Sequence, residues 1–252
     1  MPNTKLTKEK LANHFHYSKW IYILVTAAIV GLASVIFTMT RSQIANEQSV
    51  EIAFVGSFVD IEPIAADEKK LLEQAQSFDA SLEQVKFMPI LYDGSEGMTE
   101  EAVYGAQQYM VQTTAGSNDI FILPLSMAEE LILQDTCLPF DTLEMYEQFI
   151  ALYPDVTRYE YPQPTEASVI AYRNGEAYEF AEDAPRHVYA LDVSCMTGLN
   201  SRGIFDAAGY TANPEDEKAV RVAVLYVTGK NPETSFYVLS DMYRLFVPEE
   251  AQ

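Results

Sequence analysis

Histidine is the side chain best suited to acid–base work near neutral pH, and only His14, His16 and His187 occur among the 252 residues. Asp192 and Ser194 stand close behind His187, so the residue types of an acyl-transfer trio share one short stretch. On a single extended segment they would face different directions, and no Gly-x-Ser-x-Gly elbow accompanies them. A hydrolase is therefore the remotest reading, and no catalytic residue is assigned. A glycosidase needs two carboxylates. With 37 acids in the chain a pair can be nominated anywhere, so their abundance selects none. There is no His-Glu-x-x-His, no Cys-x-x-Cys and no acidic loop of calcium-binding spacing, which leaves no metal site and no cofactor indicated. Gly94 and Gly97 precede a helical stretch but lack the lysine of a phosphate loop.

Tyrosine, present 16 times, is the more informative residue. An aromatic ring with a polar tip suits sugar stacking and protein interfaces. Tyr104, Tyr146 and Tyr153 fall on helical stripes and read as core. Tyr159 and Tyr161, in the proline-flanked segment YPDVTRYEYPQP, read as a binding surface on a linker or crossing segment. The two cysteines, Cys137 and Cys195, allow one disulfide stapling distant segments; each lies in apolar sequence, which suits two buried thiols equally.

The elements that would position these residues alternate. VEIAFVG from Val50 and VKFMPILYDG from Val85 read as strands, the second at an edge because of Pro89. Between them Leu71, Leu72, Ala75, Phe78 and Leu82 share one face of a helical stretch over 66–84. Thr99 opens a helix ending at Gly116, with Val103, Ala106, Met110 and Thr113 facing inward. DIFILPL is a third strand. Capping-box spacings at Ser126/Glu129 and Asp141/Glu144 start two more helices. ASVIAYRNGEAYEF reads as a hairpin turned at Asn174-Gly175, HVYALDVSCM and VRVAVLYVTG as strands, and Asn231-Pro232 as the start of the last helix. Strands alternating with helices imply an α/β fold with a mainly parallel sheet.

The stretch 20–40 carries no charge and is long enough for the roughly 30 Å core of a bilayer. Lys5, Lys8, Lys10 and Lys19 precede it, so the positive-inside rule places residues 1–19 in the cytoplasm, 20–40 as a transmembrane helix, 41–49 as a short linker, and 50–252 outside. No small-residue cleavage site marks a signal peptide. Of the net charge of −21, the first forty residues carry four lysines and one glutamate, leaving −24 on the remainder. That makes nucleic acid and anionic lipid poor candidates as partners of the remainder, since both are bound through clustered Lys and Arg.

The phrases VEIAFVG, VKFMPILYD and AGSNDIFILPLSMAEELILQDTCLPFDTL, together with VAVLYVTGKNPETSFYVLSDMYRLF, resemble extracytoplasmic solute-binding proteins of ABC importers. The resemblance implies a lobe like those of periplasmic binding proteins. Between Asp141 and Val222 there is room only for a reduced second lobe, and the lipid-attached cysteine of Gram-positive members is replaced by a membrane helix. The resemblance thus implies a single-pass, non-catalytic binding or accessory domain beside a membrane protein, a permease or a complex subunit, with a small solute as its ligand. The alternative is an interaction subunit with no ligand. Ligands of open α/β sheets sit beyond the carboxyl ends of strands. This places Gly56, Ser57 and Phe58, then Tyr92, Asp93 and Ser95, then Pro124 and Ser126, at the candidate cleft, with Tyr159 and Tyr161 as further binding residues.

Overall fold

The computed structural model describes residues 20, 22–27, 29–31, 46–92, 94, 100–176, 184–205, 220–228 and 230–248. The chain divides into two compact units, Met1–Gln43 and Ile44–Gln252. In the first, the described residues between Trp20 and Gly31 are helical. Among the described residues no helix is long and apolar enough to cross a membrane, and most of the 20–40 stretch lies outside them.

The second unit is a mixed α/β fold. Its strands are β1 (Ser49–Gly56), β2 (Gln84–Leu91), β3 (Ile120–Pro124), β4 (Cys137–Leu138), β5 (Arg158–Pro162), β6 (Arg186–Asp192) and β7 (Arg221–Tyr226). They form one sheet in the order β2-β1-β3-β7-β6-β5, with β4 also on β7. β1 pairs in parallel with β2 and β3, while β7 is antiparallel to β3, β4 and β6. β1, β2, β3, β4 and β6 thus point one way, and β5 and β7 oppose them.

The helices are α1 (Asp67–Ala75), α2 (Glu100–Ala115), α3 (Leu125–Leu133), α4 (Tyr146–Leu152), α5 (Glu166–Arg173), α6 (Thr197–Ser201) and α7 (Pro232–Phe246). Strand residues alternate between the two sheet faces, and here both faces are covered. Ile52, Phe54, Ile120, Ile122, Ala223 and Leu225 pack against α1, α4, α6 and α7. Ala53, Val55, Phe121, Leu123, Val222 and Val224 pack against α3, with Tyr109 of α2 beside them. The crossovers after β1 and after β2 therefore lie on opposite faces, which makes the gap between β1 and β3 a topological switch point.

Several expectations are corrected. No second lobe forms among the described residues: 142–222 supplies α4, β5, α5, β6 and α6, and its strands β5 and β6 extend the same sheet. The expected hairpin near Asn174 is helix α5, because Thr165 and Ser168 form a capping box and Gly175, at φ 69°, ends the helix. Neither predicted capping box forms. Pro124 caps α3 without a side chain, since the chain enters it straight from β3. Asp141 is engaged by His187 and the Val188 N–H, and α4 starts later, after Met145. Val103 and Met110 of α2 face outward, 47% and 67% exposed. Thr99 lies outside the described residues. Asn231 caps α7 as expected, accepting the Glu233 N–H at 3.1 Å.

A buried ion pair ties the parallel and antiparallel halves together. Asp119 and Lys230 are paired at 2.8 Å with side chains 1% and 7% exposed. The Lys230 ammonium also donates to the carbonyls of Ser49 and Ser117, at 3.3 and 3.1 Å. The carboxylate accepts the Glu51 N–H at 2.8 Å and the Thr228 hydroxyl at 3.1 Å. Burial pushes the Asp119 carboxyl up from its ordinary range, and these donors oppose that. Lys230→Ala should cost about 3–5 kcal/mol in urea unfolding, because it strands a buried carboxylate; a loss under about 1 kcal/mol would show that the pair is dispensable.

At the start of α1, burial raises the Asp67 carboxyl, but Lys70 and Arg202 outweigh it and hold it below 3.8; hydrogen bonds from Ser81 and Thr234 do the same for Asp79. Both release their protons more readily folded than unfolded. The stability they add is full above 3.8 and is lost as pH falls through the lower folded values. Urea midpoints should fall between pH 5 and pH 3, less steeply in Asp67→Asn; parallel profiles would assign the slope to other carboxylates.

Candidate functional site

The carboxyl ends of β1 and β3 and the amino end of β7 meet at the switch point. Gly56 closes β1 and Pro124 closes β3, opposite Arg221 of β7. Gly56 has little space above it: a Cβ there would lie 3.4 Å from the Phe205 ring and 3.5 Å from the Arg221 guanidinium. Arg221 is 5% exposed and its guanidinium stands 5.4 Å from the Phe205 ring centre, a cation–π arrangement. Phe205 in turn packs on Phe54, with ring centres 6.1 Å apart.

Beyond Gly56 the chain turns outward. Ser57 is exposed and Phe58 is 50% exposed, while Val59 bridges to Phe205 and the Asp60 N–H donates to the Ile204 carbonyl at 2.9 Å. Ser126 is half-buried in the first turn of α3, and the Leu125 N–H donates to the Val220 carbonyl at 3.0 Å. Ser57 and Phe58 are thus exposed beyond the end of β1, Ser126 stands at the start of α3 after β3, and Arg221 is buried at the start of β7.

Of the residues predicted for the cleft, Gly56, Ser57, Phe58, Pro124 and Ser126 thus lie at the carboxyl ends of two adjacent central strands. Tyr92 is not: it is half-buried against Tyr109, ring centres 5.3 Å apart. Asp93 and Ser95 lie outside the described residues. Tyr159 and Tyr161 sit on an edge strand, β5, rather than on a linker, four strand spacings or about 19 Å from β1. Both pack on the α3 side of the sheet, and the Tyr161 hydroxyl donates to Glu129 at 2.7 Å. Their apolar neighbours and this bond give them structural work to do.

Arg221 and Phe205 were not singled out from sequence. The signal for Arg221 was present, a lone charge inside the apolar run VRVAVLYV. Phe205 had none, because its role depends on a contact with β1.

His187, Asp192 and Ser194 are not brought together. His187 is the second residue of β6 and pairs with Asp141 at 3.0 Å, whereas Asp192 closes the strand, about 16 Å away, and accepts the Ser194 N–H at 2.7 Å. Among the described residues no group of three or more His, Cys, Asp or Glu could hold a metal ion. No protein family, no curated protein and no solved structure matches the chain.

Cys137 and Cys195 are free thiols. They belong to the packing clusters on opposite faces of the sheet, so the sheet itself separates them and the disulfide is not formed. Burial pushes both thiols up, Cys195 to about 11. Under native conditions a thiol reagent at pH 8 should therefore leave Cys137 unmodified and react with Cys195 at least tenfold more slowly than with a free peptide thiol. In denaturant both should react without prior reduction. A chain that gains two thiols only after reductant would overturn the assignment.

Proposed function

We propose that this chain is a non-catalytic binding domain, anchored at a membrane by residues 20–40 and acting beside a membrane protein. The carrying observation is the switch point between β1 and β3, where Gly56, Ser57 and Phe58 follow the end of one strand and Pro124 and Ser126 the end of its parallel neighbour. Two of the phrases that bear the resemblance to solute-binding proteins also support it. They become the paired strands β3 and β7, in register Ile120↔Leu225, and are joined by the Asp119–Lys230 pair. A small solute at these strand ends would meet hydroxyls and one aromatic face.

The second reading, an interaction subunit without a solute, is favoured by a separate observation: the outer face of α2 is apolar and exposed at Val103, Tyr104, Met110 and Val111. Thermal unfolding of the full chain in detergent, across sugars, peptides and inorganic ions, decides for or against the solute. A ligand at a hundred times its Kd should add about 2.7 kcal/mol and raise the midpoint by about 5–10 °C, and Phe58→Ala should weaken that response. No shift across all three classes would leave only the second reading.

A further inference from the structure

Helix α2 is built inside out. Its inner face is held by polar and close-packed groups: the Gln108 amide donates to the Pro89 carbonyl at 3.2 Å, and Gln112 accepts from Ser117 and Asn118 at 2.6 and 3.1 Å. The Thr113 carbonyl accepts the Tyr226 hydroxyl at 2.6 Å. Gly105 lies so close to the end of β2 that a Cβ would stand 1.8 Å from the Leu91 carbonyl oxygen, which fixes the rotation of the helix. The outer face then presents Val103, Tyr104, Met110 and Val111, at 47%, 71%, 67% and 61% exposure. A helix that merely faced water would reverse this pattern.

We infer that the outer face of α2 is the contact between two copies of this chain. Charge selects the occupant. The chain carries −21, yet residues 102–118 contain no charge, the longest such run outside 20–40. A basic partner would be recognised by carboxylates, with which this protein is richly supplied. An equally acidic partner can approach only through an uncharged face, and a second copy is such a partner.

The face is also self-complementary. At about 100° per residue, Val103 and Val111 lie about 40° to either side of Gln107, and Tyr104 and Met110 about 60° to either side. A two-fold axis through the contact at Gln107, with the helices antiparallel, sets Val103 against the second copy's Met110 and Tyr104 against its Val111. The two Gln107 amides meet on the axis, where each can donate to the other. One helix of 16 residues is about 24 Å long, which gives a small interface and a weak, concentration-dependent pair. Tethering both copies in one membrane would raise its occupancy. The contact does not depend on whether the switch-point edge takes a solute.

The test uses the full chain in detergent micelles. Gln107→Cys should form a covalent dimer under mild oxidation, while wild type and Glu73→Cys, on an exposed helix position elsewhere, should not. By light scattering, wild type should approach twice the monomer mass as concentration rises. Val103→Glu with Val111→Glu should weaken that association at least tenfold and leave the thermal midpoint unchanged, since both side chains are exposed. A monomer at every concentration, cross-linking as efficient at Glu73→Cys, or a dimer indifferent to the two glutamates would each overturn the inference.

Discussion

Burying a carboxylate and an ammonium together is tolerable only when both are well partnered, and the Asp119–Lys230 site meets that demand with groups from three segments. Ser49 and Glu51 belong to β1, Ser117 and Asp119 to the entry of β3, and Thr228 and Lys230 to the turn between β7 and α7. The backbone of Asp119 is engaged as well, donating to Glu51 and accepting from Tyr226. A one-residue slip of any of these strands would break several bonds at once, so the site fixes register where parallel strands meet an antiparallel one.

From that fixed register the two-sided core follows. β1, β3 and β7 are buried on both faces, which is why their sequences are nearly continuous apolar runs rather than alternating ones. The edge strand β2 alternates more and carries its own protection. Glu68 accepts the Phe87 N–H at 2.7 Å, Pro89 has no N–H, and Gln108 donates to the Pro89 carbonyl. These features leave little of that edge available for another strand. Contact with other chains is thereby directed away from the sheet and towards helix surfaces, where α2 stands out.

The acidity of the chain shapes what such a contact can be. Repulsion between copies keeps an acidic domain soluble and limits association to places where carboxylates are missing. The uncharged run of α2 is one such place, and the tight seat of Gly105 on β2 prevents the helix from turning its apolar side inward.

Much of the fold was legible in the sequence. The three apolar runs that became β1, β3 and β7 could be read because burial on both faces leaves a compositional mark, and α7 because Asn231-Pro232 is a local signal. The five residues at the switch point were locatable because a βα crossover pattern says which strand ends lie side by side. The failures share a cause. The spacings at Ser126 and Asp141 look like caps, but Glu129 and Asp141 are taken by Tyr161 and by His187 with Val188. Val103 and Met110 of the α2 stripe were assigned to the wrong side because periodicity finds an apolar face without saying what it faces. Residues 142–222 look like the start of another lobe until β6 pairs with β7. Local chemistry and apolar periodicity were determined by the sequence itself. Which partner each group takes was decided only by tertiary structure, because competing hydrogen-bond and packing partners lie tens of residues away and only the folded register brings one of them within reach.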